Sequence, residues 1–157
     1  MVRRIPRPIA RAPIWLYRHH FGWLLGGRFA LLEHRGRITR LPRNVVLEVL
    51  SRRPGHLTVV SGYGPASQWY QNILADPHVR VWSGRWRAAP ARATPLPPDV
   101  ALALLSDYRR HHPHLTRLLG RALEIPELAG SRPLPHDLPA RLPLVDVALA
   151  SAEAAGR

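Results

Sequence analysis

The residues best suited to chemistry in this 157-residue chain form a basic turn in its first third. The turn begins at Gly36, where the absent side chain lets backbone N–H groups approach a ligand closely. Arg37 and Arg43 carry planar guanidinium groups, which bind phosphate and carboxylate through paired hydrogen bonds. Thr39 adds a short hydroxyl donor, and Arg40 adds a third cation. This turn therefore predicts a site for an anionic ligand.

A second cluster follows the turn along the chain. It consists of a glycine loop at residues 61–64 and a helical segment that contains Trp69, Tyr70 and Asn72. Together the two clusters predict a cradle for a flat, negatively charged cofactor. The alternatives are a solvated arginine turn, aromatic side chains that only pack in the core, and a Ser61 that only satisfies backbone groups at a strand end.

The order of these motifs resembles the deazaflavin-dependent nitroreductase family, small split-barrel enzymes that use coenzyme F420. The matching positions are Gly36, Arg37, Thr39, Pro42, Arg43, Ser61, Gly64, Trp69, Tyr70, Asn72, Asp76 and Pro77. The resemblance spans residues 13–149, and its distinctive part is the central third of the chain.

The resemblance implies which residues bind the coenzyme and its substrate. The arginine turn binds the phosphate and polyglutamate tail, two strands line the ring, and the aromatic helix closes the phosphate side. The implied cofactor-binding residues are Gly36, Arg37, Thr39, Arg40, Arg43, Asn44, Val45, Val46, Leu47, Val60, Ser61, Gly62, Trp69, Tyr70 and Asn72. Ser61 is expected to be the catalytic donor near the reacting oxygen of the substrate. His112 and Leu115 are expected to contact the substrate.

Several positions depart from the family pattern. Ile38 stands where the family has a second cation, and Arg40 stands where it has glycine, so Arg40 is expected to substitute for the missing cation. His112 and Pro113 fall where the family often has a tyrosine-bearing substrate wall, and Leu115 replaces an aromatic residue. The substrate pocket is therefore expected to differ in shape from that of other members.

The implied reaction is hydride transfer from reduced coenzyme F420 to a quinone, a nitroaromatic or an enone. The cofactor supplies the difficult chemistry in such enzymes, so few side chains are obligatory. An FMN-binding split-barrel reductase, a silent cofactor carrier and a basic nucleic-acid-binding module are the alternatives. The sequence contains no recognised nucleic-acid motif, and its aromatic residues lie in apolar periodic segments, so no nucleic-acid partner is expected.

Composition favours an ordinary globular protein, with 46% hydrophobic and 21% charged residues. The chain has no cysteine, which excludes disulfides and thiolate chemistry and fits a cytoplasmic location. All 23 basic residues are arginine, beside 17 prolines, which suggests a GC-rich genome such as that of an actinobacterium. The histidine clusters at residues 19–20 and 111–114 lack further ligands, so no metal site is expected.

The elements expected to position these residues are short strands with helices around them. Strands are expected at residues 29–34, 44–50, 57–61 and 142–149 and on both sides of a hairpin at Ser83–Gly84. Helices are expected at residues 13–25, 66–75, 100–110 and 113–123, with a proline-rich loop at 126–141. The predicted fold class is α+β: one domain over residues 13–149, a mainly antiparallel split β-barrel of about six strands with an N-terminal helix and peripheral helices. A basic arm at residues 1–12 precedes it, and residues 150–157 are expected to be a disordered tail.

Positive charge is concentrated in the N-terminal third. Residues 1–53 hold 12 arginines against Glu33 and Glu48, within a chain whose formal net charge is +13. The helix predicted at residues 13–25 is too short and polar to span a bilayer. Its aromatic residues and neighbouring arginines suit an anionic membrane surface at the inner face of the cell membrane. The sequence leaves open whether this helix packs on the barrel or on a membrane, and it leaves the oligomeric state open.

Overall fold

The structure is a computed structural model, and it describes residues 28–151. The predicted basic arm, the predicted N-terminal helix and the tail from residue 152 onward lie outside the described residues. The predicted boundaries of the domain at residues 13 and 149 remain a prediction.

Six antiparallel strands form a closed barrel in the order β1-β2-β3-β6-β5-β4, and β1 pairs with β4 to close it. Their bounds are β1 (Phe29–Arg35), β2 (Pro42–Arg53), β3 (His56–Val60), β4 (His78–Ser83), β5 (Trp86–Pro95) and β6 (Leu144–Leu149). The described helices are α1 (Gln68–Ala75), α2 (Pro98–His111), α3 (Pro113–Ala122) and the short α4 (Leu138–Arg141), with a 3-10 turn at Pro126–Ala129. This architecture confirms the predicted fold class.

Alternating apolar residues on the strands fill the interior of the barrel. On β1 the interior residues include Ala30 and Leu32, and on β3 they are Leu57 and Val59. Strand side chains alternate between the two faces of a sheet, so this spacing of two sends one face inward. Trp69 and Ile73 of α1 belong to this core, and Tyr70 packs against it.

The outer face of the barrel is covered by α2, α4 and the segments around them. Val60 of β3 and Leu144 of β6 pack there against Leu105 of α2, in a second apolar cluster. Burial on both faces explains why β6 has no exposed residue. The strand also begins at Leu144, two residues later than predicted.

Several predicted bounds differ from the structure at their ends. β2 is longer than the predicted segment, because its first residue pairs with Arg35 of β1 and its last residue pairs with His56 of β3. The loop predicted at residues 126–141 contains the 3-10 turn and α4, so that expectation was wrong in part. Proline is compatible with the first turn of a helix, where its missing N–H leaves no bond unmade, and both short elements have one there: Pro126 is the first residue of the 3-10 turn and Pro139 is the second residue of α4.

Candidate functional site

The turn between β1 and β2 is held in shape by its own backbone. The N–H of Gly36 donates to the carbonyl of Leu41 at 2.9 Å, and the N–H of Arg40 donates to the carbonyl of Gly36 at 2.8 Å. A β-carbon at Gly36 would lie 2.8 Å from Thr39 Oγ1, so this position has little room for a side chain. The backbone of Arg40 is left-handed, with φ of 59°. That conformation favours glycine and accounts for the glycine that the related pattern has here.

The turn is fastened to helix α1 by Asn72. Its Oδ1 accepts a hydrogen bond from the backbone N–H of Arg37 at 3.0 Å and another from Arg37 Nη1 at 2.9 Å. Arg37 Nη1 also donates to Gln68 Oε1 at 3.0 Å, one helical turn earlier on α1. Asn72 is only 4% exposed. The arginine turn is therefore a preformed element with a fixed position against α1.

A cavity of about 520 Å³ lies between the turn, the start of β2 and α1. Its lining consists of His34, Gly36, Arg37, Ile38, Thr39, Arg43, Asn44, Val45, Gln68, Trp69 and Asn72. We call this space the arginine cavity. It brings together eight of the predicted cofactor-binding residues, which come from two separate sequence clusters.

The guanidinium group of Arg43, which lines this cavity, remains available to bind a ligand. Arg43 pairs with His34 across the β1–β2 ladder, and cross-strand partners extend from the same face of the sheet. Within residues 28–151 no hydrogen bond or ion pair engages its guanidinium. Arg43 is exposed and lines the cavity, and an arginine in such a position without an acidic partner is suited to an anionic ligand.

Arg40, which is expected to substitute for the cation missing at Ile38, has an acidic partner in this structure, and its role in cofactor binding remains a prediction. Its Nη2 donates to Asp76 Oδ2 at 3.0 Å, and Arg40 is not among the residues that line the arginine cavity. Hydrogen bonds from His78, and secondarily the contact with Arg40, lower the pKa of Asp76. Arg40 makes this ion pair from a left-handed backbone conformation. Ile38 is instead 84% exposed at the tip of the turn.

His34 is a site residue that the sequence analysis missed. It is 5% exposed at the end of β1 and borders the arginine cavity. Burial, with the positive charge of Arg43 as the second cause, lowers the pKa of His34 to about 4. The alternation of Ala30 and Leu32 along β1 places residue 34 on the interior face, which is the signal that could have found it.

The two aromatic residues of α1 face different surroundings. Trp69 is 6% exposed, belongs to the barrel core and forms part of the wall of the arginine cavity. Tyr70 meets the Trp69 ring edge-on at 6.0 Å, and burial raises its pKa. Tyr70 is not among the residues that line the arginine cavity. Of the two aromatic residues predicted to bind the cofactor, only Trp69 therefore borders that cavity.

The residues predicted to line the ring are divided between three surroundings. Asn44 and Val45 border the arginine cavity, whereas Leu47 points into the barrel core. Val60 is 3% exposed in the outer apolar cluster. Val46 is half-buried and is not among the residues that line the arginine cavity. The structure therefore does not bring Val46, Leu47 and Val60 to that cavity.

Ser61 is fully buried in the turn after β3. Its Oγ donates to the carbonyl of Gly64 at 2.8 Å and lies 2.8 Å from Ser67 Oγ. Gly62 borders a different space, of about 310 Å³, beside Leu123. These contacts agree with the alternative that Ser61 satisfies local backbone groups. The predicted catalytic role of Ser61 remains a prediction that this geometry does not favour.

The predicted substrate residues lie at the junction of α2 and α3. His112 is exposed and packs on the ring of Tyr108, with centroids 4.9 Å apart, while Leu115 is half-buried on α3. Tyr108 donates to Glu48 Oε1 at 2.9 Å, and burial followed by that carboxylate raises the pKa of Tyr108 to about 12. Neither predicted substrate residue borders the arginine cavity, so their role remains a prediction.

Residues 28–151 contain no group of three or more His, Asp or Glu side chains arranged to hold a metal ion. Among the helices of that range, none has the length and apolar character needed to cross a membrane.

The family model of F420H(2)-dependent quinone reductases matches residues 10–115 of this sequence. The chain belongs to this family. That membership makes it an oxidoreductase of the F420-dependent class and confirms the resemblance to deazaflavin-dependent enzymes. A search of curated proteins gave no match.

Solved structures share the fold of this F420-dependent reductase family member at low sequence identity. An F420-H2 dependent reductase, FDR-A, aligns with a TM-score of 0.52 and 20% identity, over 76% of this chain and 93% of that one. A pyridoxamine 5'-phosphate oxidase-related, FMN binding protein from Nostoc punctiforme aligns with a TM-score of 0.53 and 13% identity, over 95% and 83%. General Stress Protein 26 from Bacillus anthracis aligns with a TM-score of 0.53 and 15% identity, over 85% and 88%. These three similarities show the fold.

The chemistry of the arginine cavity fits the anionic part of coenzyme F420. Arg43 offers an uncommitted guanidinium, and Arg37 carries a second positive charge that Asn72 and Gln68 hold in place. Thr39 adds a hydroxyl, and Trp69 and Val45 add apolar surface to the lining. Phosphate and carboxylate groups need such donors, and a flat ring needs such a surface.

Proposed function

We propose that this chain transfers a hydride from reduced coenzyme F420 to a small electrophile, with a quinone as the first choice. The observation that carries the proposal is Arg43, a cation without a protein partner in the described residues, in the wall of the arginine cavity. The family to which the chain belongs is described by its quinone acceptor. Nitroaromatics and enones accept a hydride by the same chemistry and are the other candidate substrates.

In this proposal the side chains of the cavity bind and orient the coenzyme. Arg43, Arg37 and Thr39 bind its phosphate or tail carboxylates, and Trp69 and Val45 exclude water from one side of the site. The bound coenzyme supplies the hydride, and the protein supplies orientation and electrostatics. Since binding and orientation are the main tasks, this site requires no acid–base pair of the kind that hydrolases have.

Turnover with a panel of acceptors tests this function. Under anaerobic conditions the protein is mixed with reduced coenzyme F420 and with a quinone, a nitroaromatic or an enone, and the absorbance of the oxidised coenzyme is followed. We expect one coenzyme molecule to be oxidised for each quinone molecule reduced to the hydroquinone. Binding of the coenzyme without oxidation by any acceptor would refute catalysis and favour a carrier.

An FMN-dependent reductase is the second candidate, because one solved protein with the same fold is described as FMN binding. FMN has one phosphate and lacks the polyglutamate tail. The family match and the second positive charge at Arg37 favour the deazaflavin coenzyme. A titration of the purified protein with each cofactor separates the two candidates.

We also propose that the protein works in the cytoplasm and associates with an anionic membrane surface, where lipophilic quinones are found. The N-terminal sequence contains the aromatic residues Trp15, Phe21 and Trp23, with Arg11 and Arg18 near them in the chain, a composition suited to an anionic interface. In the described part of the chain, Ile38 and Leu41 are exposed at the tip of the arginine turn. Flotation with anionic and neutral vesicles at low salt tests this association. Protein that remains in solution with both vesicle types would contradict it.

A further inference from the structure

Asn72 joins three parts of the site through a single buried side chain. Its Oδ1 accepts two hydrogen bonds from Arg37, one from the backbone and one from the guanidinium. Its Nδ2 lies 3.1 Å from Nδ1 of His34, which is 38 residues away in sequence. The amide thus connects the arginine turn, α1 and the end of β1.

The two hydrogen bonds from Arg37 determine which way the amide is oriented. Both Arg37 groups are donors, so the atom that faces them must be the amide oxygen. The NH₂ group then faces His34, and it can only donate. His34 Nδ1 must accept this bond, so the imidazole carries its proton on Nε2.

The same arrangement keeps the imidazole uncharged. Protonation of Nδ1 would place an N–H group against the NH₂ group of Asn72 and would add a second cation beside Arg43. The low pKa of His34, about 4, agrees with this contact. The remaining ring nitrogen, Nε2, has no hydrogen-bond partner within residues 28–151, and the ring borders the arginine cavity.

We propose that Asn72 is a positioning residue that holds His34 as a neutral hydrogen-bond donor, through Nε2–H, for an oxygen of the coenzyme bound in the arginine cavity. This inference rests on the proposed function for the identity of the ligand. A neutral N–H donor differs from an arginine because it can bind a carbonyl or hydroxyl oxygen without adding a positive charge to the site.

Other charged groups around His34 must be included in any pH analysis. Arg43 lies opposite on β2, and Arg37 lies in the turn. His34 also borders a second cavity, whose lining includes Glu33, Arg35, His78 and Arg80. The wild-type protein and the variants described below share all of these groups. Differences in the pKa of His34 between these proteins therefore report on the residues that were changed.

The test compares two variants that place a carboxylate against Arg37. Asn72→Asp also replaces the NH₂ group that faces His34, whereas Gln68→Glu leaves that group in place. Nitrogen NMR of the histidine rings reports tautomer and pKa in the protein without any ligand, and His34→Gln identifies the His34 signals. We expect the wild-type ring to carry its proton on Nε2. Asn72→Asp should move the pKa of His34 above the usual value of about 6.5, with the proton on Nδ1 shared with the new carboxylate.

Gln68→Glu should keep the wild-type tautomer and change the pKa of His34 much less. Equal effects of the two variants on His34, or a wild-type ring protonated on Nδ1, would overturn the role of Asn72.

Coenzyme binding supplies the second measurement. His34→Gln retains a neutral N–H donor and should bind coenzyme F420 within about threefold of wild type, whereas His34→Phe should bind about tenfold more weakly or worse. Wild-type affinity in His34→Phe would overturn this inference and leave the proposed function standing. No binding by the wild-type protein would overturn the proposed function and the coenzyme as the ligand of His34, while the NMR result would still decide the role of Asn72.

Discussion

At the residue scale, the buried imidazole of His34 links the stability of the protein to pH. Its pKa in the folded protein is about 4, below the value of about 6.5 expected for an unfolded chain. As pH falls, the unfolded chain therefore binds the proton first. The contribution to stability is complete above about pH 6.5 and is lost as the pH falls to about 4.

This difference predicts a pH-dependent effect of His34→Gln. Between pH 7 and pH 4 the free energy of unfolding of the wild type should fall by about 3 kcal/mol more than that of the variant. Urea denaturation of both proteins at several pH values measures this change in the free energy of unfolding. Parallel pH profiles for the two proteins would show that His34 is not protected from protonation.

The left-handed backbone at Arg40 leads to a prediction for the turn. Glycine accepts a φ of 59° without the strain of a β-carbon, which costs about 1–2 kcal/mol, although it also increases the entropy of the unfolded chain. Arg40→Gly should therefore be more stable than Arg40→Ala by about 1 kcal/mol, since both variants lose the ion pair with Asp76. The denaturation midpoints of the two variants test this difference in stability. A more stable alanine variant would show that residue 40 does not have this conformation.

Ser61 allows a direct choice between a structural and a catalytic role. Its buried hydroxyl bonds to Gly64 and Ser67, so Ser61→Ala should lower the free energy of unfolding by about 1–2 kcal/mol. We expect kcat of the folded variant to stay within about threefold of wild type. A loss of tenfold or more in kcat with unchanged stability would instead support Ser61 as the catalytic donor.

Sequence reasoning at this scale identified the cations of the turn and Asn72, but it did not predict which contacts these residues make. Arg37, Arg43 and Asn72 could be named because their residue types and spacing matched a known pattern. The contact between Asn72 and His34 crosses 38 residues, and no local pattern encodes it. The direction of the Arg40 side chain depends on a backbone angle and on Asp76, which are also not visible in the spacing.

At the scale of elements, α3 packs so closely against the 3-10 turn that Gly120 has no room for a side chain. A β-carbon on Gly120 would lie 2.8 Å from the carbonyl oxygen of Ile125 and 3.0 Å from the β-carbon of Leu128. Backbone atoms cannot move aside as a flexible side chain can, so Gly120→Ala should destabilise the protein by about 1–3 kcal/mol.

Gly130→Ala is the matched control for Gly120→Ala. The nearest atom to its added β-carbon would be 3.8 Å away, which is an ordinary contact. Its loss of stability should be below about 0.5 kcal/mol, as for a surface substitution. Thermal or urea unfolding of the two variants measures the difference. Equal stability of the two variants would contradict the packing described for α3.

The elements themselves could be predicted from the sequence better than their ends. The strands alternate apolar residues with a period of two, and proline or glycine marks most of the turns. The predicted elements differ from the structure where tertiary packing, and not the local sequence pattern, determined the structure. β6 is buried on both faces by the outer helices, and α4 is a short helix inside a proline-rich segment.

At the scale of the whole molecule, the closed barrel brings the site together. Helix α1 packs on the barrel core, and this position puts Asn72 against a turn that precedes it by more than 30 residues. Antiparallel pairing of β1 with β2 then sets Arg43 beside His34. The fold and the basic turn could thus be predicted, whereas the division of the predicted ring residues between cavity, core and outer cluster required the structure.

The central claim is that the arginine cavity binds coenzyme F420, and binding titrations of Arg43→Ala test it most directly. Arg40→Ala is the matched control, because it removes an arginine of the same turn that is paired with Asp76 outside the cavity. We predict tighter binding of coenzyme F420 than of FMN by the wild type. Arg43→Ala should weaken coenzyme F420 binding by about 1.5–3 kcal/mol, and Arg40→Ala should change it less than about threefold. Equal or tighter binding of FMN, together with no effect of Arg43→Ala, would contradict the claim.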